Sequence, residues 1–408
     1  MVKRAIQQAT HHVSKRVTAV VQRLLADEAS SGKFLLIAAA IALIAANSPW
    51  AKQFADFWHL HLSISLGGWE FSEELREWIN GGLMALFFLV AGLEVKREMV
   101  LGELRTLRAA ALPVVAAAGG MILPAALYLA INAGQPGSQG WGIPMTTDIA
   151  FAVGVLALVS RHVPASLKLF LLTLAIIDDI GAVTVIALFY TDEVHVIPLI
   201  LAGLGLLSIA ALQWLRLLSL RLFIVLGIII WAATHASGVH ASIAGALLGL
   251  SAPIVARSRH SAKRAIAERL ERMIIPVSTF FVIPLFALAN AGVAIRADVF
   301  QEHGAQLVGA GIAAGLVLGK LLGITGATWL MVRFKLARLP EGVLWHHIIG
   351  VGLLGGIGFT LSLFMAELAF AGDEQLAAAA KVSIFGTSLV SAGLGLAYLR
   401  FAGKSRKT

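Results

Sequence analysis

Residues Leu169 to Tyr190 read LFLLTLAIIDDIGAVTVIALFY, an apolar run long enough to cross a bilayer, with two adjacent aspartates, Asp178 and Asp179, at its centre. At ~1.5 Å per helical residue, the stretch from Leu169 to Asp178 carries the carboxylates ~14 Å into a hydrocarbon layer of ~30 Å, close to the midplane. Each Asp there costs roughly 2.5 to 3.5 kcal/mol on insertion scales, so the default reading of the pair is an ion or proton site. Adjacent helix positions lie ~100° apart, so the two side chains cannot share a direction. One can face a cavity while the other meets a partner.

The rest of the chain agrees with a membrane setting. Its 408 residues are 58% hydrophobic and only 13% charged, with mean hydropathy +0.85, which excludes an ordinary soluble protein. The 40 glycines are spread through apolar segments, as suits helices whose backbones approach closely in lipid. With no cysteine, disulfides, thiolate metal sites and thiol catalysis are excluded. The net charge of +9 falls in short loops between apolar spans rather than in a folded basic domain, so membrane topology explains it better than nucleic acid.

The first apolar span begins near Gly32 and no cleavage pattern suits a signal peptide, so residues 1–31 are expected to be a cytoplasmic extension. Val13, Val17, Val20, Val21, Leu24 and Leu25 recur at helical spacing with Lys15, Arg16 and Arg23 between them. That pattern fits a helix lying on an anionic leaflet, and equally a partly disordered basic tail. Residues 402–408 form a second basic cytoplasmic tail.

Between these ends, apolar periods and breakers predict twelve spans, near 32–47, 77–95, 107–132, 143–160, 167–190, 195–213, 220–236, 239–256, 273–294, 305–332, 343–371 and 378–401. Basic residues recur after even-numbered spans: Lys96, Arg97, Arg105 and Arg108; Arg161 and Lys168; Arg216 and Arg221; Arg257 to Arg272; Arg333, Lys335 and Arg338. The loop Gln135 to Gln139 and the turn His235 to His240 carry no Lys or Arg, so the positive-inside rule places both termini in the cytoplasm. One loop differs. Leu60, Leu62, Ile64 and Leu66 alternate with polar residues before Gly67-Gly68 and Trp69-Glu70-Phe71, a hairpin signal. Such a hairpin either lies on the surface or pairs with a second copy as a homodimer.

Two further charges lie at membrane depth. Lys320 is the only charged side chain between His303 and Arg333, and Asp148 follows Pro144 in the polar cluster Met145-Thr146-Thr147-Asp148 of the fourth span. A lone lysine in lipid is untenable without an anion or loss of its proton, so a mutually compensating cluster of three carboxylates and one ammonium is the economical reading. A purely structural pair of Lys320 with one Asp is the alternative. The eleventh span is interrupted at Gly350-Val351-Gly352-Leu353-Leu354-Gly355-Gly356-Ile357-Gly358-Phe359-Thr360. Gly350, Gly352 and Gly355 match GxGxxG, but without a preceding strand nucleotide binding does not follow; a helix unwound at the midplane fits better. Broken helices at corresponding positions point to an inverted-repeat transporter, with spans three to five and ten to twelve as the repeats.

The strings Thr146-Thr147-Asp148-Ile149-Ala150-Phe151-Ala152, Ile176-Ile177-Asp178-Asp179-Ile180-Gly181-Ala182 and Gly92-Leu93-Glu94-Val95-Lys96-Arg97-Glu98, with Gly355-Gly356-Ile357-Gly358-Phe359-Thr360, closely resemble the bacterial NhaA sodium/proton antiporters. The resemblance runs from about Ala26 through the twelfth span. The broken-helix rule is itself illustrated by that family, so the two arguments are not independent.

The resemblance implies an all-α protein of about twelve transmembrane helices with two broken helices crossing at the midplane, plus a short extramembrane β-hairpin. Residues 32–401 would form the antiporter domain, with a core bundle near 107–190 and 305–401 and the other spans as an interface domain. It implies a multi-pass protein of the bacterial inner membrane, with no cofactor and no catalytic residue. The activity implied is electrogenic, pH-regulated exchange of cytoplasmic Na+ or Li+ for external H+ by alternating access. Asp179 would be the principal Na+ ligand, and Asp178 a ligand, proton carrier or lysine partner. Lys320 would either only pair with Asp178 or also carry a proton, while Thr147 and Asp148 would sit where the broken helices cross, balancing their dipole ends and helping bind the ion. Glu94, Lys96, Arg97, Glu98 and Glu271 match positions implicated in the family's pH response. The histidines that some members carry near that last glutamate are replaced by Arg272 and Ile275, so a pH switch would depend on coupled carboxylates rather than imidazole.

The physical reading runs the same way. Desolvation and a neighbouring like charge both favour the protonated form of a carboxyl group, so protons and Na+ compete for the same oxygens. A transporter of the same architecture for an organic solute would need a broader polar lining. An intramembrane aspartyl protease also uses two buried aspartates, but on separate helices, whereas Asp178 and Asp179 are adjacent. Nothing resembles a repeated channel filter, and His59, His61, His346 and His347 form no HExxH metal motif.

Overall fold

The computed structural model describes residues 28–66, 69–102, 105–159, 163–191, 194–254, 266–294 and 297–402. Most of the expected N-terminal extension, the tail beyond Ala402, and Arg161, Arg257, Arg259, Lys263 and Arg264 lie outside them. Helix α1 spans Glu28–Ala46, and a short amphipathic helix, α2 (Ala51–Trp58), turns off it by 118°. Strands β1 (His61–Leu66) and β2 (Trp69–Glu74) form an antiparallel pair that aligns His61 with Glu74 and Leu66 with Trp69. The hairpin expected from alternation is therefore present, and Trp78 Nε1 donates to Leu62 O at 3.0 Å to tie it to the next helix.

That helix, α3, runs Leu75–Leu101, followed by α4 (Leu107–Asn132), a 3-10 segment (Pro136–Met145) with α5 (Ile149–Leu158), and α6 (Ala165–Phe189). Then come α7 (Val196–Trp214), α8 (Leu220–Ala236), α9 (Ala241–Ser251), α10 (Ile266–Asn290) and α11 (His303–Arg333). The chain closes with α12 (Trp345–Gly355), α13 (Phe359–Ala369) and α14 (Glu374–Ala402). Every predicted span coincides with a helix or a bent pair, but length refines the count. Among the described residues, seven helices are long and apolar enough to cross a membrane, or up to ten if each bent pair is one span. Helices α8 and α9 have 17 and 11 residues. At ~1.5 Å per residue, α9 extends only ~16 Å, short of a full crossing. The short helix α2 escaped the sequence reading because its few apolar residues suit an interface rather than a span.

Large apolar side chains on α7 and α8, such as Ile197, Leu207, Trp214 and Ile228, point outward and are exposed. In a multi-pass membrane protein this is the lipid-facing surface. Inside, large apolar side chains such as Phe88, Phe286 and Leu316 pack together, and glycines add direct backbone contact. A Cβ on Gly245 would strike the Ala85 carbonyl, one on Gly249 the Leu89 carbonyl, and one on Gly92 the Ala246 carbonyl, so α3 and α9 touch main chain to main chain. Likewise Gly319 of α11 lies against Pro124 of α4 and Gly323 against Gly119, while Gly315 meets the Pro144 ring first and the Pro124 carbonyl behind it. This i, i+4, i+8 stripe draws α11, and Lys320 with it, toward α4 and the molecular centre. A π-helical turn at Ala314–Gly319 ends immediately before Lys320. Its extra residue rotates Lys320 by ~100° relative to an unbroken α-helix.

Gly245→Ala is expected to cost about 1 to 3 kcal/mol by overpacking a backbone contact. Gly203→Ala, where a Cβ meets nothing within 4 Å, is the matched control. Thermal unfolding of the detergent-solubilised variants checks the difference.

Candidate functional site

The two predicted interruptions are real breaks. The Pro136–Met145 segment meets α5 at 47°, and α12 meets α13 at 42°. The breaks touch, because Asp148 N donates to Ile357 O at 2.6 Å. Each break leaves helix-end N–H groups without intrahelical partners, at a depth where water is scarce. Asp148 answers this for both helices at once. Its Oδ1 accepts from Phe151 N of α5 at 3.0 Å, while its Oδ2 accepts from Thr360 N of α13 at 3.1 Å and from the Thr360 hydroxyl. One carboxylate thus sits at two positive dipole ends. A second strut lies beside it: Ser362 Oγ donates to Ile143 O at 2.8 Å, leaving the Thr146 hydroxyl to donate to Ser362 Oγ at 2.9 Å.

Asp178 and Asp179 are buried on α6, 1% and 3% exposed. Lys320 is fully buried, and its Nζ donates to Asp178 Oδ2 at 2.7 Å. Thr147 Oγ1 lies 2.8 Å from the same Oδ2 and 3.0 Å from the Gly355 carbonyl, the last of α12. Its single proton serves one acceptor at a time, so the hydroxyl is poised between carboxylate and carbonyl. Asp178 Oδ1 and Asp179 Oδ1 are both buried and accept no hydrogen bond from the described residues. An unsatisfied buried acceptor costs about 1 to 3 kcal/mol, which a bound proton or cation removes.

Asp179 opens into a cavity of about 460 Å³, together with Thr147, Asp148 and Thr360, whereas Asp178 and Lys320 do not line it. The ~100° between neighbouring side chains is what separates the two aspartates. One wall of the cavity is a face of α3, where Phe87, Val90, Ala91, Glu94, Arg97 and Glu98 recur at helical spacing. Glu94 is within electrostatic reach of Asp179. Glu271 of α10 lies 4.0 Å from Arg97, while Lys96 falls off the lining face.

Three residues were not singled out from sequence as part of the site: Thr360, Gly355 and Ser362. Thr360 ends the glycine-rich string of the eleventh span, so the break was visible. Which atoms on its far side would meet Asp148 depends on how the two broken helices cross.

Residues 22–399 match the Na+/H+ antiporter 1 family. The chain is 45% identical over 389 residues to the Na(+)/H(+) antiporter NhaA of Salmonella paratyphi A, covering 93% of this chain and 97% of the relative. It is 42% identical over 417 residues to Na(+)/H(+) antiporter NhaA 3 of Frankia alni, covering 95% and 90%. With the NhaA of Sulfurimonas denitrificans it shares 40% identity over 432 residues, covering 96% and 97%. A crossing of two broken helices beside a buried Asp178–Lys320 pair, and likeness along nearly its whole length, place this chain in the NhaA family of Na+/H+ antiporters.

Proposed function

We propose that the protein is a secondary transporter that exports cytoplasmic Na+ or Li+ in electrogenic exchange for external protons, by alternating access and under pH control. The observation that carries this reading is the divided pair: Asp179 faces a cavity with an unsatisfied oxygen, while Asp178 is held by Lys320. A cation entering beside Asp179 finds hard oxygens there and in Thr147. Recruiting Asp178 as a second ligand requires it to release Lys320, which then lies at membrane depth without its anion and gives up a proton. With the proton that Asp179 itself gives up on ligating the cation, two protons leave as one monovalent cation arrives, and the membrane potential can drive such a cycle. Asp148 already accepts on both oxygens, which favours its role as a dipole cap over direct ligation. Beyond these groups, Thr360 and the α3 residues already named, the cavity presents only the hydroxyls of Thr173, Ser278 and Thr279 among apolar side chains.

The same reading gives the architecture a direction. The Glu94–Glu98 end of the cavity lies at the same end of α3 as Lys96 and Arg97, with Arg105 just beyond, and the positive-inside rule supports reading it as the cytoplasmic entrance, with both termini on that side. Helix α4, the broken pair ending in α5, and α6 correspond to α11, the pair α12–α13, and α14 as inverted repeats forming a core bundle. The remaining helices are the interface domain against which this core moves. Glu94, Arg97, Glu98 and Glu271, with Lys96 beside them, are the pH-responsive group at the entrance. The hairpin, with Leu60 and Leu62 exposed, is the surface for a homodimer.

Proton-loaded inverted vesicles test the activity. Na+ or Li+ should collapse the pH gradient while K+ has little effect, and Asp179→Asn should abolish the response; an unchanged response sinks the ligand assignment. Lys320→Arg is expected to transport with a shifted pH profile, whereas Lys320→Ala should lose charge translocation, read as the membrane-potential change on adding Na+. Thr360→Val removes one donor from Asp148 at nearly constant volume. It should cost about 1 to 3 kcal/mol in thermal unfolding measurements.

A further inference from the structure

Two cavities flank one aromatic cluster. Phe364 of α13 is fully buried, its ring centre 5.8 Å from that of Phe88, 6.1 Å from Phe286 and 5.4 Å from His240. On one side lies the cavity that holds Asp179. On the other lies a second cavity of about 710 Å³, reaching in to Asn80, which is 4% exposed. Asn80 pairs there with Asn290, whose Nδ2 donates to Asn80 Oδ1 at 2.9 Å. Thr360, Phe364 and Glu367 recur at i, i+4 and i+7 on α13. A single face of this half-helix therefore runs from the first cavity, past the aromatic cluster, into the second.

At the far end of that face, Glu367 is ion-paired with Lys381 of α14, their side chains 19% and 10% exposed. No hydrogen-bond donor among the described residues satisfies Glu367 Oε1, which leaves the ammonium as its partner. The arrangement repeats the chemistry of Asp178 and Lys320, a lysine-held carboxylate beside a cavity, on the opposite side of the aromatic cluster. The surrounding field is acidic. Glu74, Glu77 and Glu374 line the same cavity with Glu367, against Arg76 and Lys381, and Glu77 of α3 is within electrostatic reach of Glu367. Of the imidazoles, His59 bonds Glu74 at 2.7 Å, His235 lies 3.5 Å from Glu73, and His240 meets Phe364 edge-on. The Tyr190 phenol donates to Gln139 O at 2.6 Å. A mainly acidic, partly enclosed vestibule raises the local concentration of protons. An ion pair kept only for stability would do no better there than apolar packing.

Resting on the exchange reading above, we propose that Glu367 is a second protonation site, loading protons from the face opposite Glu94. Glu367 takes a proton from that solution, releasing Lys381. It passes the proton to an ionised aspartate of the Asp178–Asp179 pair when the core presents that pair to the second cavity. The aspartate becomes the acid, and Glu367 returns to its ionised, lysine-paired form.

Reconstituted vesicles with pH set separately on the two faces test this, with Asp179→Asn as the no-exchange control. Glu367→Gln is expected to raise about tenfold the proton concentration needed on the second-cavity face for half-maximal exchange, a shift of ~1 pH unit. The Na+ concentration for half-maximal exchange on the Glu94 face should stay unchanged, and Glu367→Asp should restore the profile. If Glu367→Gln alone misfolds, the double variant Glu367→Gln/Lys381→Met, which leaves no charge unmatched, carries the same expectation. An unaltered profile on that face, or a rate lowered equally at every pH on both faces, overturns the assignment. Wild-type vesicles without Na+-driven proton movement overturn the exchange reading instead, so the two failures are told apart.

Discussion

A polypeptide that breaks two helices inside a membrane must satisfy the backbone groups it exposes, and here a single carboxylate does so for both. Asp148 accepts from the first turn of α5 and from the first turn of α13, so neither half-helix can shift without disturbing the other. That constraint sets the position of everything else at the centre. It holds Thr147 beside Asp178, brings the last carbonyl of α12 to the same hydroxyl, and leaves Asp179 facing open space. An apolar residue at 148 would leave two main-chain donors, Phe151 N and Thr360 N, unpaired where each costs roughly several kcal/mol.

The second constraint is the lysine. A fully buried ammonium requires an anion, and Lys320 obtains one because glycines at 315, 319 and 323 let α11 approach α4 at backbone distance and a π turn sets its direction. Its pairing with Asp178 makes two chemically identical neighbours inequivalent: one is neutralised, the other is available. The inequivalence comes from helix geometry and a single partner, without any special residue type.

Much of this was legible along the chain. The cost of Asp178 and Asp179 in an apolar run marked a site, the isolation of Lys320 demanded a partner, and the glycine string near Gly355 marked a break. Alternation around Gly67-Gly68 marked the hairpin. Less legible were features that depend on distance between remote segments. The pairing of Thr360 with Asp148 spans more than half the chain, and nothing periodic in either segment reports it. The ion pair of Glu367 with Lys381 was equally hidden, since both residues lie near helix ends where charges are ordinary. Helix α9 is shorter than the expected span 239–256 because apolar composition continues past Ser251, whereas the helix stops there, just before Pro253.

The sequence by itself determined that this is a polytopic helical membrane protein with charges at the midplane and two interrupted helices, because hydropathy and the cost of a buried charge are local quantities. It also fixed that Asp178 and Asp179 point apart, since the helical repeat alone requires it. Only the tertiary structure decided which of them meets Lys320 and which faces the cavity. It alone showed that Asp148 is shared between two helix ends, and that one face of α13 links two cavities across Phe364. Those outcomes depend on the rotation and approach of whole helices, which in lipid are set by glycine contacts and mutual hydrogen-bond satisfaction rather than by any residue's own preference.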